Sequence, residues 1–130
     1  MNSQHQIAST DNAEHYQWGG PNAQGKRSEG WHLVKTPNLS VIQERVPPGC
    51  AETPHYHQHA EQFFFVLEGT ATIELQERDE KSAIELNPKE GLHIPAGTPY
   101  QLRNEHTEDL VFTVTSTPPS HSDRVIVKYD

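Results

Sequence analysis

From Trp31 onward, apolar and polar residues alternate in short runs that glycine and proline keep interrupting. In residues 70–76, Ala71, Ile73 and Leu75 alternate with Thr72, Glu74 and Gln76, the period of two expected of a strand with one buried face. Residues 31–35 and 39–46 are strand-like around the turn sequence Thr36-Pro37-Asn38, and so predict a hairpin that Pro47-Pro48-Gly49 ends. Further strands are predicted over 53–59, 62–68, 83–86, 91–94, 100–103 and 110–115. A charged loop falls at 77–82, a turn at Asn87-Pro88 and a tight corner at 95–99. No stretch longer than about ten residues shows an apolar stripe at helical spacing. Short strands joined by Gly and Pro turns predict a small all-β sandwich or barrel.

Residues 1–30 break this pattern. They are mostly Asn, Gln, Ser, Gly, His and charge, with no period of 2 or 3.6, and predict a flexible or swapped N-terminal arm. Tyr16 and Trp18 are its aromatic anchors, on this barrel or on a neighbouring subunit. The barrel is expected over 31–117. A tail, 118–130, carries one more short strand at 125–127.

Composition narrows the function. A chain of 130 residues suits one domain, and 32% hydrophobic residues is low for a compact globule, which points to a disordered stretch or a polar cavity. Ten Lys and Arg against eighteen Asp and Glu give a net charge of −8, which disfavours nucleic acid and anionic membrane surfaces as partners. No apolar run approaches the roughly 20 residues of a membrane span, and the opening residues have neither the basic nor the apolar region of a secretory signal. Cys50 is the single cysteine, so an internal disulfide is excluded and a Cys-based zinc site nearly so. This cysteine usage favours the cytoplasm.

The chemistry concentrates in the histidines. Of nine, His55, His57 and His59 fall at i, i+2 and i+4, so on a strand all three share a face. A His-x-His pair on a strand suits one metal ion; a polar strand face is the plainer reading. The surrounding spacing is Gly49, five residues, His55-Tyr56-His57, four residues, Gln62, six residues, Gly69. Later come Pro95-Ala96-Gly97, two residues, Tyr100, three residues, Asn104.

This pattern resembles the two motifs of the cupin superfamily, over roughly residues 41–115. The resemblance implies a jelly-roll barrel, a double-stranded β-helix, with a metal or ligand in its lumen. It maps the family's four metal ligands onto His55, His57, Gln62 and Tyr100. Two of these depart from the family pattern, which has an acidic residue at Gln62 and a histidine at Tyr100. Lys89 likewise stands at the leading glycine position of the second motif, with Gly91 two residues late. Glu61 fits a shorter spacing, but residues 61 and 62 of one strand face opposite ways, and the apolar run that follows favours Gln62 as the inward one. His59 and His93 are further ligand candidates.

The resemblance therefore implies a divalent transition metal, Ni, Zn, Mn or Fe, on His55, His57 and Gln62. Tyr100 would be a catalytic acid or base, or a hydrogen-bond donor to a bound water or ligand. The activity would be of dioxygenase, isomerase or lyase type, acting on a small polar metabolite. The alternative is a metal-free module that holds a sugar-like ligand by hydrogen bonds from the same four residues. A purely structural role is a third reading. A homodimer is also implied. Phe63, Phe64 and Phe65 are expected in the core and lumen wall, Arg45 and Arg103 on solvated strand faces, and Cys50 without nucleophilic function.

Overall fold

The computed structural model describes residues 5–120 and 122–127. It contains eleven strands and, among the described residues, no helix: β1 (Glu14–Trp18), β2 (Ser28–Lys35), β3 (Ser40–Val46), β4 (His55–His57), β5 (Glu61–Glu68), β6 (Ala71–Glu77), β7 (Glu80–Leu86), β8 (Gly91–Ile94), β9 (Tyr100–Arg103), β10 (Leu110–Thr117) and β11 (Arg124–Ile126). They form two antiparallel sheets, ordered β1-β2-β3-β10-β5-β8 and β11-β4-β9-β6-β7. The chain is all-β, as the strand pattern predicts, and its two sheets form the jelly roll that the resemblance implies.

Alternation decides what each strand buries. On β5, Gln62, Phe64 and Val66 point inward. Phe63 is 44% exposed and stacks on Phe65 outside the barrel, ring centroids 6.3 Å apart. Only Phe64 of the three phenylalanines enters the core. The outer face of β5 is therefore solvated, where the apolar run suggested burial on both sides. Phe112 from β10, Ile73 from β6, Leu102 from β9 and Val46 from β3 fill the centre between the sheets. Each lies on the inward period of its own strand.

Two regions differ from the sequence pattern. Residues 14–18, within the stretch read as an arm, form β1 and pair in register with β2 of the same chain, Tyr16 opposite Gly30. A side chain at residue 30 would run into the Tyr16 ring, so glycine there lets the tyrosine cross its neighbour. The charged segment 77–82 is mostly strand: β6 and β7 pair from Ala71↔Leu86 to Glu77↔Glu80 around a two-residue turn. Because β7 is an edge strand, its charges face water and hide the period of two.

Candidate functional site

The lumen between the sheets holds a cavity of about 280 Å³. Strand β4 sends in His55 and His57, β5 sends in Gln62 and Phe64, and β9 sends in Tyr100. The four residues singled out by motif spacing therefore converge on one space. Gln62 is 5% exposed, whereas Glu61 lies outside, 2.9 Å from His93, so residue 62 is the inward one of the two. His59 and His93 are outside the lumen as well. Arg45 and Arg103 make surface ion pairs with Glu29 and Glu105.

Each ring nitrogen has an assigned task. His55 Nδ1 donates to the Thr53 carbonyl at 2.8 Å. His57 Nδ1 lies 2.8 Å from Asp123 Oδ1. A carbonyl or an ionised carboxylate can only accept, so in each neutral imidazole Nδ1 carries the proton and Nε2 keeps a lone pair. No hydrogen bond among the described residues engages either Nε2. Both rings line the cavity, and their centroids are 4.9 Å apart. Burial holds His55 down, to about 4, against the small opposing help of Thr53, so its ring is neutral at physiological pH.

Gln62 and Tyr100 are committed to each other. The Tyr100 hydroxyl donates to Gln62 Oε1 at 2.5 Å, and Gln62 Nε2 donates to Ser116 Oγ at 3.1 Å. Burial, reinforced by the charges of Glu52 and Glu44, pushes the Tyr100 hydroxyl well above 10. In this arrangement the hydroxyl keeps its proton and donates it to Gln62.

Sequence reasoning missed half of the site. Glu44 from β3, Glu52 from the loop before β4, Tyr16 and Trp18 from β1, and Arg124 from β11 line the same cavity. The Tyr16 hydroxyl donates to Glu44 Oε2 at 2.5 Å. Burial pushes Glu44 up to about 7, with Tyr16, Trp18 and Arg124 only partly offsetting it. Glu52 is driven to about 8, first by burial and then by the charge of Glu44. Its Oε1 is buried with no hydrogen-bond partner among the described residues. Glu44 was visible in principle, as a polar residue on the inward face shared by Ile42 and Val46. Glu52 and Asp123 carry no such mark, since each reaches the site from a loop.

A divalent metal was expected on His55, His57 and Gln62. The two histidines suit that duty, because a partner on Nδ1 is what orients a metal-binding imidazole. Gln62 does not, since its amide oxygen accepts from Tyr100, and Tyr100 retains its proton. Among the described residues, no three His, Cys, Asp or Glu side chains gather closely enough to hold one ion. A zinc-type site takes about four ligands, and of the expected set only the two histidines keep a free donor atom. The donor set does not fit a resident metal centre.

A jelly roll with a histidine pair on the strand entering its lumen defines a class, and sequence comparison names it. Residues 42–116 match the cupin domain family, and the chain belongs to it. Beta-conglycinin beta subunit 1 of Glycine max is 36% identical over 66 residues, covering 51% of this chain and 15% of that protein. Quercetin 2,3-dioxygenase of Bacillus subtilis is 33% identical over 70 residues, covering 52% of this chain and 20% of that protein. The chain thus spans a fifth or less of these two curated relatives. Among solved structures, the polyketide cyclase RemF of Streptomyces resistomycificus superposes with a TM-score of 0.75 at 19% identity, covering 98% of this chain and 88% of that one. That likeness supports the fold.

Proposed function

We propose that the lumen binds a small polar metabolite directly on side chains and moves protons on it, as an isomerase- or lyase-type enzyme. The carrying observation is the unpartnered Glu52 Oε1, buried in the cavity that also receives the histidine pair. A buried carboxyl oxygen without a partner calls for one, and a bound ligand supplies it. Glu52 then donates a proton to one atom of the ligand, while the Nε2 of a histidine accepts one from another. Solvent resets the pair. Aromatic walls from Trp18, Phe64 and Tyr100 hold the apolar part of the ligand. Two of the relatives bear enzyme names, which supports an enzymatic use of the lumen. No helix among the described residues is long and apolar enough to cross a membrane. A homodimer, the expectation from resemblance, belongs to this proposal, and sedimentation equilibrium tests it.

The experiment pairs elemental analysis of the untagged protein with a thermal-shift screen against small hydroxy- and keto-metabolites. Expected are less than stoichiometric metal and a compound that raises the melting temperature of the native protein but not of the Glu52→Gln variant. Turnover of that compound, lost in Glu52→Gln, completes the case. Stoichiometric metal that vanishes in His57→Ala overturns direct binding and restores the metal reading.

A further inference from the structure

Strand β4 carries both lumen histidines, and β9 pairs with it over less of its length than β11 does. Its pairing with β9 is a single register position, His55↔Tyr100. Its other edge is covered along its whole length by β11, with Arg124↔His57, Val125↔Tyr56 and Ile126↔His55. The Gln58 N–H donates to the Asp123 carbonyl at 3.1 Å, and the Val127 N–H donates to the Pro54 carbonyl at 3.0 Å. The C-terminal segment is therefore a strap across the strand that bears the site.

The Asp123 carboxylate at the head of this strap divides its oxygens. Oδ2 accepts from the His59 and Ala60 backbone N–H groups, both at 2.8 Å. Oδ1 faces His57 Nδ1 at 2.8 Å. The side chains of Asp123 and His57 are 9% and 6% exposed, so water does not compete for this contact. His55 reaches the same tautomer through the Thr53 carbonyl, two residues away, while His57 obtains it from a residue 66 positions distant. Two unrelated acceptors thus impose one arrangement on two adjacent rings.

We propose that Asp123 is a positioning residue that fixes the tautomer of His57, directing its Nε2 lone pair into the lumen and making the C-terminal strap a working part of the site. The consequence for catalysis rests on the proposed function; the tautomer itself does not. A neutral imidazole has one N–H, and its place follows from what each nitrogen meets. Asp123→Asn keeps the shape and reverses the instruction. The amide oxygen stays with the two backbone N–H groups, its NH2 faces His57, and Nδ1 must then accept.

Long-range ¹H–¹⁵N NMR of the imidazoles in the full-length, ligand-free protein at mildly alkaline pH reads this directly. In the native protein both His55 and His57 should show a protonated Nδ1 and a bare Nε2. In Asp123→Asn the two ¹⁵N shifts of His57 should exchange places while those of His55 stay. A bare Nδ1 on native His57 overturns the proposal, and that measurement needs no variant to fold. An unchanged His57 tautomer in a folded Asp123→Asn, judged by intact His55 signals, overturns it equally, because an acid that only caps the loop would leave the ring as it was. No substrate is used, so failure here leaves the proposed function standing, and failure of that function leaves this result intact.

Discussion

Tyr100 stands where the resemblance put a histidine, and its hydroxyl hydrogen-bonds Gln62 Oε1. Its ring packs between His55 and Phe64, with centroids 4.6 and 5.6 Å away. Tyr100→Phe keeps that packing and leaves the buried Gln62 oxygen without its donor. An unsatisfied buried acceptor costs about 1–3 kcal/mol, and urea unfolding should show a loss of that size with an unchanged m-value. Equal stability of the two proteins would mean that Gln62 finds another donor. At this scale the sequence was legible where motif spacing or the period of a recognised strand was used to place a residue; Glu44 lies on such a period in β3 and was still passed over. Gln62 followed from the register of β5, and His55 and His57 from their spacing. Glu52 and Asp123 lie in loops, whose side-chain directions no period fixes.

Elements were read as well as their two faces differ. Strands β6 and β10 were legible because buried apolar residues alternate with polar, partly exposed ones along most of their length. Residues 80–82 of β7, exposed on both faces, read as a loop while 83–86 read as a strand, and β1 read as an arm because its residues show no period of two. The turn before β8 shows a finer point. Lys89 takes φ of 70°, a left-handed conformation, at the family's glycine position, and its N–H donates to the Val66 carbonyl at 2.8 Å. The Gly91 position is a separate demand: a side chain there would meet Phe63 at 2.5 Å and the Phe64 carbonyl at 2.7 Å. So the turn needs one left-handed residue and one residue without a side chain, and only the second is glycine here. A left-handed non-glycine residue costs about 1 kcal/mol. Lys89→Gly should therefore stabilise the protein by about 0.5–1 kcal/mol, raising the melting temperature by a few degrees. A lower melting temperature would show that the Lys89 side chain contributes more than its backbone costs.

On the scale of the whole molecule, the lumen sets how stability responds to pH, because its groups titrate away from their ordinary values in opposite senses. His55 stays neutral down to about 4 in the folded chain, against an ordinary value of 6.5. The unfolded chain therefore binds a proton that the fold refuses, and His55 costs stability as pH falls from 6.5 to 4. Asp123 is the reverse of a buried acid: burial raises it, but the His59 and Ala60 N–H groups and the His57 ring together lower it. Its contribution is present above its ordinary value and lost as pH falls through the lowered one. Glu44 and Glu52 hold their protons to about 7 and about 8, against 4.5 in the unfolded chain. They cost stability as pH rises from 4.5 to 8, and nothing further is lost above that. Between 4.5 and 6.5 the two carboxyls outweigh the one imidazole, so the sum declines with rising pH across the whole interval up to 8. Each tenfold difference in proton affinity between the folded and unfolded chain is worth about 1.4 kcal/mol, which makes the decline on the order of a few kcal/mol. The native melting temperature should thus be highest in mild acid and fall toward pH 8, whereas Glu44→Gln with Glu52→Gln removes the falling limb and leaves a curve that rises to neutrality. Parallel curves for the two proteins would mean that both carboxyls ionise freely in the fold. The cavity would then be open to water, and the acid assigned to Glu52 would have lost its proton before any ligand arrived.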